Sequence, residues 1–331
     1  MEQLALFDPP PEPARPAGGD DSPRPAPHPA RITDLAARLP ATILLGTSCW
    51  SFPGWSGLVY AETSTRPALA RRGLAAYAAH PLLRTVGVDS GFYAPLDQRR
   101  LADYATQVPP SFRFLVKAPA RITDRFQRDG NGRPRGLNPG FLDPLLAADE
   151  AVAPFVDGLG QHAGVLLLQL PPLGHEITAH PRRFAEDLYR FLIRLPKGPC
   201  YAVELRDAAL LTTDLAAALA HGGAEPGLAA HPRLPPIAEQ LALFGPAKRP
   251  HAPVVVRWLL RGNRRYAEAR DHYHPFNRLA EPDTRTRQHI VEALHRAVTA
   301  DRLVYVIANN KAEGSAPLTL IALAEAFLDS R

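Results

Sequence analysis

The chain has 331 residues, a net charge of +5, two cysteines and 36 prolines. Two cysteines exclude a disulfide scaffold and fit a reducing compartment. No apolar run reaches the roughly 18 residues of a membrane span, and Met1 leads into acidic, proline-rich sequence unlike a secretory signal, so a cytoplasmic protein without a membrane partner is expected.

Residues 1–40 read as a disordered tail. Pro9, Pro10, Pro11, Pro13, Pro16, Pro23, Pro25, Pro27 and Pro29 remove backbone donors, and few large apolar residues offset the entropy of ordering. A short helix from about Thr33 to Leu39 leads into the fold. From Ile43 the pattern alternates strand and helix. Strands are predicted at Ile43–Thr47, Thr85–Val88, Phe112–Lys117, Gly164–Leu170, Tyr201–Leu205, Gly227–His231, Val254–Leu259 and Leu303–Ala308. The clear helices between them are Leu96–Val108, Pro181–Leu195, Thr212–His221, Thr284–Ala300 and Pro317–Leu328. Long loops fall at Asp124–Asn138 and Arg261–Pro282, a length that in compact domains often marks lids or binding loops. Strict alternation argues for a parallel sheet, and eight units favour closure. The predicted fold is α/β, a TIM-barrel-like (β/α)8 parallel barrel over residues 42–331.

The strands share one further property: each apolar run stops at a polar, chemically able residue. Lys117, Gln169, Glu204 with Arg206, Arg257, and Asn309 with Asn310 all lie at such ends. Side chains alternate faces along a strand, so Glu204 and Arg206 point the same way, and two opposite charges there need each other or a ligand. In a barrel these ends converge on the carboxyl-end mouth.

Several ordered motifs carry a resemblance. They are Gly46-Thr-Ser-Cys-Trp50-Ser-Phe-Pro-Gly-Trp55, Ser90-Gly-Phe92-Tyr93, Phe114-Leu-Val-Lys117-Ala-Pro and Leu168-Gln169-Leu-Pro171-Pro172. Val203-Glu204-Leu-Arg206, Val256-Arg257-Trp and Asn309-Asn310-Lys-Ala-Glu-Gly314-Ser-Ala complete the set. Together they resemble the YecE-like family, catalogued as domain of unknown function 72, over roughly residues 42–331. The resemblance implies a TIM-barrel-like fold without an established activity. The sequence departs from the family pattern at Cys49, usually glycine, and at Val86-Gly87-Val88-Asp89, usually Val-Glu-Ile-Asn. Asp89 then offers a carboxylate two residues after the missing glutamate, on the same face.

The constellation supports one chemistry best. Lys117, Arg206 and Arg257 make the mouth electropositive and suited to a small anionic ligand such as phosphate, sulfate or carboxylate. Glu204 or Asp89 serves as general base and Lys117 joins them as a catalytic candidate, while Gln169, Asn309 and Asn310 orient substrate. Trp50, Trp55, Phe92 and Tyr93 offer flat faces for a sugar or base ring. The competing reading is a structural ion-pair layer, Glu204 pairing with Arg206 or Lys117. No metal is expected, because the strand ends carry Lys, Arg, Gln and Asn rather than clustered His, Asp and Glu; Asp271, His272 and His274 sit together in a polar loop. Cys49 with His175 is a weaker nucleophile pair. No Gly-x-Gly-x-x-Gly fingerprint follows an early strand and no Walker loop occurs, so no nucleotide cofactor is expected.

Lysine occurs only at positions 117, 197, 248 and 311, so arginine supplies nearly all the positive charge. That suits phosphate recognition, and it equally fits a high-GC coding bias. One pentapeptide occurs twice, as Gln3-Leu4-Ala-Leu6-Phe7 and Gln240-Leu-Ala-Leu-Phe244. It resembles the Gln-Leu-x-Leu-Phe motif by which bacterial DNA-metabolism proteins dock on the sliding clamp. A second functional class follows: a DNA accessory protein tethered to the clamp by its N-terminal copy. The second copy also has the i, i+4, i+7 spacing of a buried helix face, through Ile237, Leu241 and Phe244.

Overall fold

The structure, a computed structural model, describes residues 22–245, 251–262 and 264–330. Eight parallel strands close into a barrel: β1 (Ile43–Thr47), β2 (Leu83–Val88), β3 (Arg113–Lys117), β6 (Ala163–Gln169), β7 (Tyr201–Glu204), β8 (Ala224–Ala230), β9 (Val254–Trp258) and β10 (Val304–Ala308). Two short antiparallel strands, β4 (Phe126–Arg128) and β5 (Pro134–Leu137), form a hairpin outside it. Around the barrel the order is β1-β10-β9-β8-β7-β6-β3-β2. The predicted strands therefore all form, with ends displaced by a few residues.

Alternation along the strands sorts the core into two layers. Leu44, Leu115, Val165, Leu167, Ala202, Val255, Tyr305 and Ile307 fill the barrel interior. Their neighbours, such as Leu45, Phe114, Leu166, Val203, Val256 and Val306, face the surrounding helices. The helix Pro181–Leu192 shows why the outer layer closes: Phe184, Leu188, Phe191 and Leu192 recur at helical spacing and are all buried. Ala316–Asp329 does the same with Leu320, Leu323 and Phe327. No described helix is long and apolar enough to cross a membrane.

Close approach decides one glycine. A Cβ at Gly46 would lie 2.1 Å from the Thr85 carbonyl oxygen, where the β1–β2 register shifts, so only glycine lets the two strands meet there.

The expected tail needs correction at its C-terminal half. Residues 30–38 form a helix, Ala30–Arg38, that buries Ile32, Leu35 and Ala36, and Arg84 reaches back to the carbonyls of Ala36 and Pro40. Earlier, Pro25 bridges Tyr60, with Ala26 N–H donating to the Val59 carbonyl and Ala61 N–H to that of Arg24. Prolines removed donors from this stretch, yet the Ala26 N–H and the Arg24 carbonyl are satisfied by the main chain around Tyr60. Residues 1–21, with the first pentapeptide, lie outside the described residues.

Both long loops contain structure. Asp124–Asn138 carries the hairpin, and Arg261–Pro282 carries the helix Tyr266–Tyr273. Tyr273, Ala269 and Phe276 pack with Leu259, Leu260 and Ala229 into a separate apolar cluster.

The second pentapeptide lies in the helix Ile237–Phe244, and its glutamine is buried. Gln240 accepts from the Ala229 N–H at 3.1 Å and donates to the carbonyls of Ala229 at 2.9 Å and Pro235 at 2.7 Å. It thus staples its helix to β8. Gln240→Ala should lower stability by about 2–4 kcal/mol, since it leaves buried backbone groups unpaired; a urea midpoint unchanged from wild type would show the staple to be dispensable.

Candidate functional site

Register carries the polar residues to the mouth. Counting by twos from the interior residues, Leu115 leads to Lys117, Val165 and Leu167 to Gln169, Ala202 to Glu204, Val255 to Arg257, and Tyr305 and Ile307 to Asn309. Gly87 leads likewise to Asp89, just past the end of β2. The same alternation keeps Arg206 on the side of Glu204.

Arg257 is the centre of this group and is only 2% exposed. Its Nη2 donates to Asp89 Oδ2 at 2.9 Å, and its Nε lies 3.7 Å from Glu204 Oε2. Arg206 Nη2 lies 2.5 Å from Glu204 Oε1. Glu204 is fully buried, so its carboxylate is held between two guanidinium groups below the cavity rather than in its lining. Both Glu204 contacts are charge pairings rather than hydrogen bonds, the Arg257 one too long and the Arg206 one poorly aligned. Asp89 does line the cavity, and its Oδ1 has no hydrogen-bond partner among the described residues. Burial works to raise the Asp89 pKa, but Arg257, then Lys117 and Arg206, win and hold it below its ordinary value. The same carboxylates overcome the desolvation of Arg257 and push its pKa up.

Two lysines complete the cavity. Lys117, at the end of β3, is 5% exposed, and its Nζ sits 4.0 Å from the Phe92 ring centroid. It makes no ion pair among the described residues. Burial lowers its pKa to about 8, assisted by Arg257 and Arg206 and opposed by Asp89 and Glu204. Lys311 is 1% exposed, with Nζ 3.4 Å from Asn309 Oδ1 and 4.3 Å from the Tyr266 ring centroid. Burial brings it also to about 8, with Arg270 and Arg66 acting in the same direction. Lys311 was not singled out in the sequence because it follows the strand end by three residues, where alternation no longer assigns a face.

These groups surround a cavity of about 60 Å³ whose lining includes Arg66, Asp89, Lys117, Arg206, Arg257, Asn309 and Lys311, together with Tyr93, His231 and Tyr266. Tyr93, Arg206, His231 and Tyr266 also line an adjoining groove of about 1070 Å³, which runs over the β4–β5 hairpin past Phe92, Phe126, Gln169 and Arg128. His231 is kept neutral: burial first, then Arg206 and Arg233, bring its pKa to about 3.

Not every expected residue reaches this place. Asn310 has the opposite parity to Asn309 and turns outward, where its Oδ1 accepts from the Trp55 indole at 3.2 Å and the Ala316 N–H at 2.8 Å. Asn309 stays at the mouth and donates to Ser48 Oγ at 2.9 Å. Trp50 is buried away from the cavity; its indole donates to the Leu69 carbonyl at 3.1 Å and its ring packs edge-on against Tyr104. Trp55 is fully buried. Cys49 lines the cavity, but its thiol lies 3.0 Å from Ser51 Oγ and burial raises its pKa, which leaves it a poor nucleophile. His175 is absent from the lining. His272 Nε2 lies 3.5 Å from Glu281 Oε1, and among the described residues no three His, Cys, Asp or Glu side chains are grouped to hold a metal ion.

The family model described as "Protein of unknown function DUF72" matches residues 44–330. The chain belongs to the DUF72 family. Its barrel resembles the crystal structure of a DUF72 family protein from Thermotoga maritima, with 20% identity, a TM-score of 0.59, and coverage of 86% of this chain and 99% of that one. A DUF72 family protein from Enterococcus faecalis gives 18% identity and a TM-score of 0.56, covering 86% and 95%. No curated protein matches the sequence. These likenesses show the fold, and the DUF72 site must be read from its own residues.

Glu204→Gln should destabilise the barrel by about 3–5 kcal/mol, because it leaves two buried guanidinium groups without their shared counter-charge. Denaturant unfolding of the purified variant measures this; an unchanged midpoint would mean that Asp89 alone holds the arginines.

Proposed function

We propose that the barrel mouth is the site of a metal-independent enzyme acting on a small anionic or sugar-like molecule. The observation that carries this is the pair Lys117 and Lys311, buried against one cavity with no carboxylate paired to either among the described residues. Among the described residues five cationic side chains, Arg66, Lys117, Arg206, Arg257 and Lys311, line that cavity with one carboxylate, Asp89, while Glu204 pairs with Arg206 and Arg257 outside the lining. A structural ion-pair layer would balance its charges, since uncompensated buried charge is costly. An electropositive mouth with a surplus of cations is instead completed by an anion. Asp89, with one carboxylate oxygen unpartnered at the cavity, is better placed as the general base than Glu204, whose part is to position Arg206 and Arg257. Asn309 and Gln169 orient the ligand, and Tyr93 with Tyr266 supports a ring stacked at the cavity entrance.

Sulfate or phosphate should bind in calorimetry, and binding should weaken as pH rises through about 8. The sign follows from the lysines: both are ammonium below that value and lose their charge above it. Lys311→Met should weaken binding by roughly 10- to 100-fold, the loss of one charged hydrogen bond. Absence of binding at high millimolar sulfate, or binding indifferent to pH, would overturn the reading.

A second reading rests on the N-terminal pentapeptide alone, since the copy at 240–244 is engaged with β8. Here the protein is a DNA-metabolism accessory that docks on the sliding clamp through Gln3, Leu4, Leu6 and Phe7 and presents its mouth to DNA. Wild-type chain should then bind the clamp weakly, and alanine at Leu6 and Phe7 should abolish that binding without moving the melting temperature. Equal clamp binding by wild type and variant would remove this reading.

A further inference from the structure

Lysine is rare in this chain, and two of its four occurrences, Lys117 and Lys311, are buried at the same cavity. Everywhere else the chain uses arginine for most of its positive charge. For holding an anion, arginine serves at least as well, because its fork gives paired hydrogen bonds and its charge survives burial. What arginine cannot supply is a neutral amine with a free electron pair. A lysine here is therefore informative beyond its charge.

The surroundings of Lys117 fit a nucleophile. Its Nζ rests on the Phe92 ring and is tied up in no ion pair among the described residues. Across the same cavity stands Asp89, whose Oδ2 is fixed by Arg257 and whose Oδ1 is unpartnered. Arg206 and Lys311 line the cavity beside them and can hold an anionic group. A nucleophile, a proton acceptor and an anion clamp thus share one small space.

We propose that Lys117 is a catalytic, imine-forming residue whose substrate is a small aldehyde or ketone bearing a carboxylate or phosphate. This rests on the anion-site reading and adds the reacting group to it. One proton passes from the Lys117 ammonium through a water in the cavity to Asp89 Oδ1, since the two side chains form no ion pair, and the freed amine attacks the carbonyl carbon, forming a C–N bond while the carbonyl π pair moves to oxygen. That oxygen takes a second proton from the nitrogen to give the carbinolamine. The C–O bond then breaks as the nitrogen pair forms the C=N bond, and the departing hydroxide takes the proton held on Asp89 and leaves as water. The product is a protonated imine that keeps the third ammonium proton; no oxidant or reductant is consumed. Desolvation prepares the step, since a pKa of about 8 leaves about a tenth of Lys117 as free amine at pH 7 and about half at pH 8. An ordinary lysine, with a pKa of about 10.4, presents on the order of 100-fold less neutral amine at pH 8.

The test uses the full chain with glyoxylate, a small probe carrying both aldehyde and carboxylate, and cyanoborohydride to reduce any imine. Peptide mass spectrometry then locates Nε-carboxymethyl-lysine, with sulfate binding measured on the same preparation. The expected result is labelling of Lys117 on the order of 100-fold faster than Lys197 at pH 8, suppressed by sulfate. Labelling that favours Lys311 or Lys197 overturns the assignment. Sulfate binding without label on Lys117 overturns imine formation and leaves the anion site standing. Neither label nor sulfate binding overturns both.

Discussion

One guanidinium organises the mouth of this barrel. Arg257 projects from the end of β9 and engages Asp89 beyond β2 and Glu204 at the end of β7, strands that are not its neighbours in the sheet. Backbone pairing joins each strand only to the two beside it, so side chains alone cross-link the interior. Buried charge tolerates this only when each group has its counterpart, which makes the bridge demanding in geometry. Arg206 hangs from the same Glu204 and is positioned by it. The two lysines are the part of the arrangement that the bridge leaves uncompensated.

The fold was readable because parallel barrels print a simple pattern. Strands buried on both sides read as apolar runs, the helices between them show one apolar face, and the order of the two is strict. The site was readable for a related reason: apolar strands ending in Lys117, Gln169, Glu204 and Arg257 need a place to put those groups. Where the regular strand stops, the pattern stops as well. Asn309 and Asn310 look equivalent in sequence, yet one faces the cavity and the other holds Trp55 and Ala316. Lys311 and Trp50 lie in loops, where no periodicity gives direction, so one was missed and the other placed wrongly.

The two copies of the pentapeptide show how little five residues determine by themselves. At 240–244 the glutamine satisfies the backbone of Ala229 and Pro235, so the residue that would contact a partner is occupied inside the fold. The local apolar spacing from Ile237 onwards pointed to a helix face, and context set the use of the motif.

The bridge between Pro25 and Tyr60 has a geometric consequence. Tyr60 follows β1 and its hydroxyl donates to the Trp50 carbonyl, which places it toward the carboxyl end of the barrel. The helix Ala30–Arg38 then carries the chain back to the opposite end, where β1 begins. Residues 24–26 are therefore held on the carboxyl-end side of the barrel rather than at its floor. Fourteen residues lie between Phe7 and Ser22, and covalent geometry limits such a span to roughly 50 Å. A partner held by the first pentapeptide would be confined to that radius around Ser22, and its local concentration would be set by chain length rather than by diffusion.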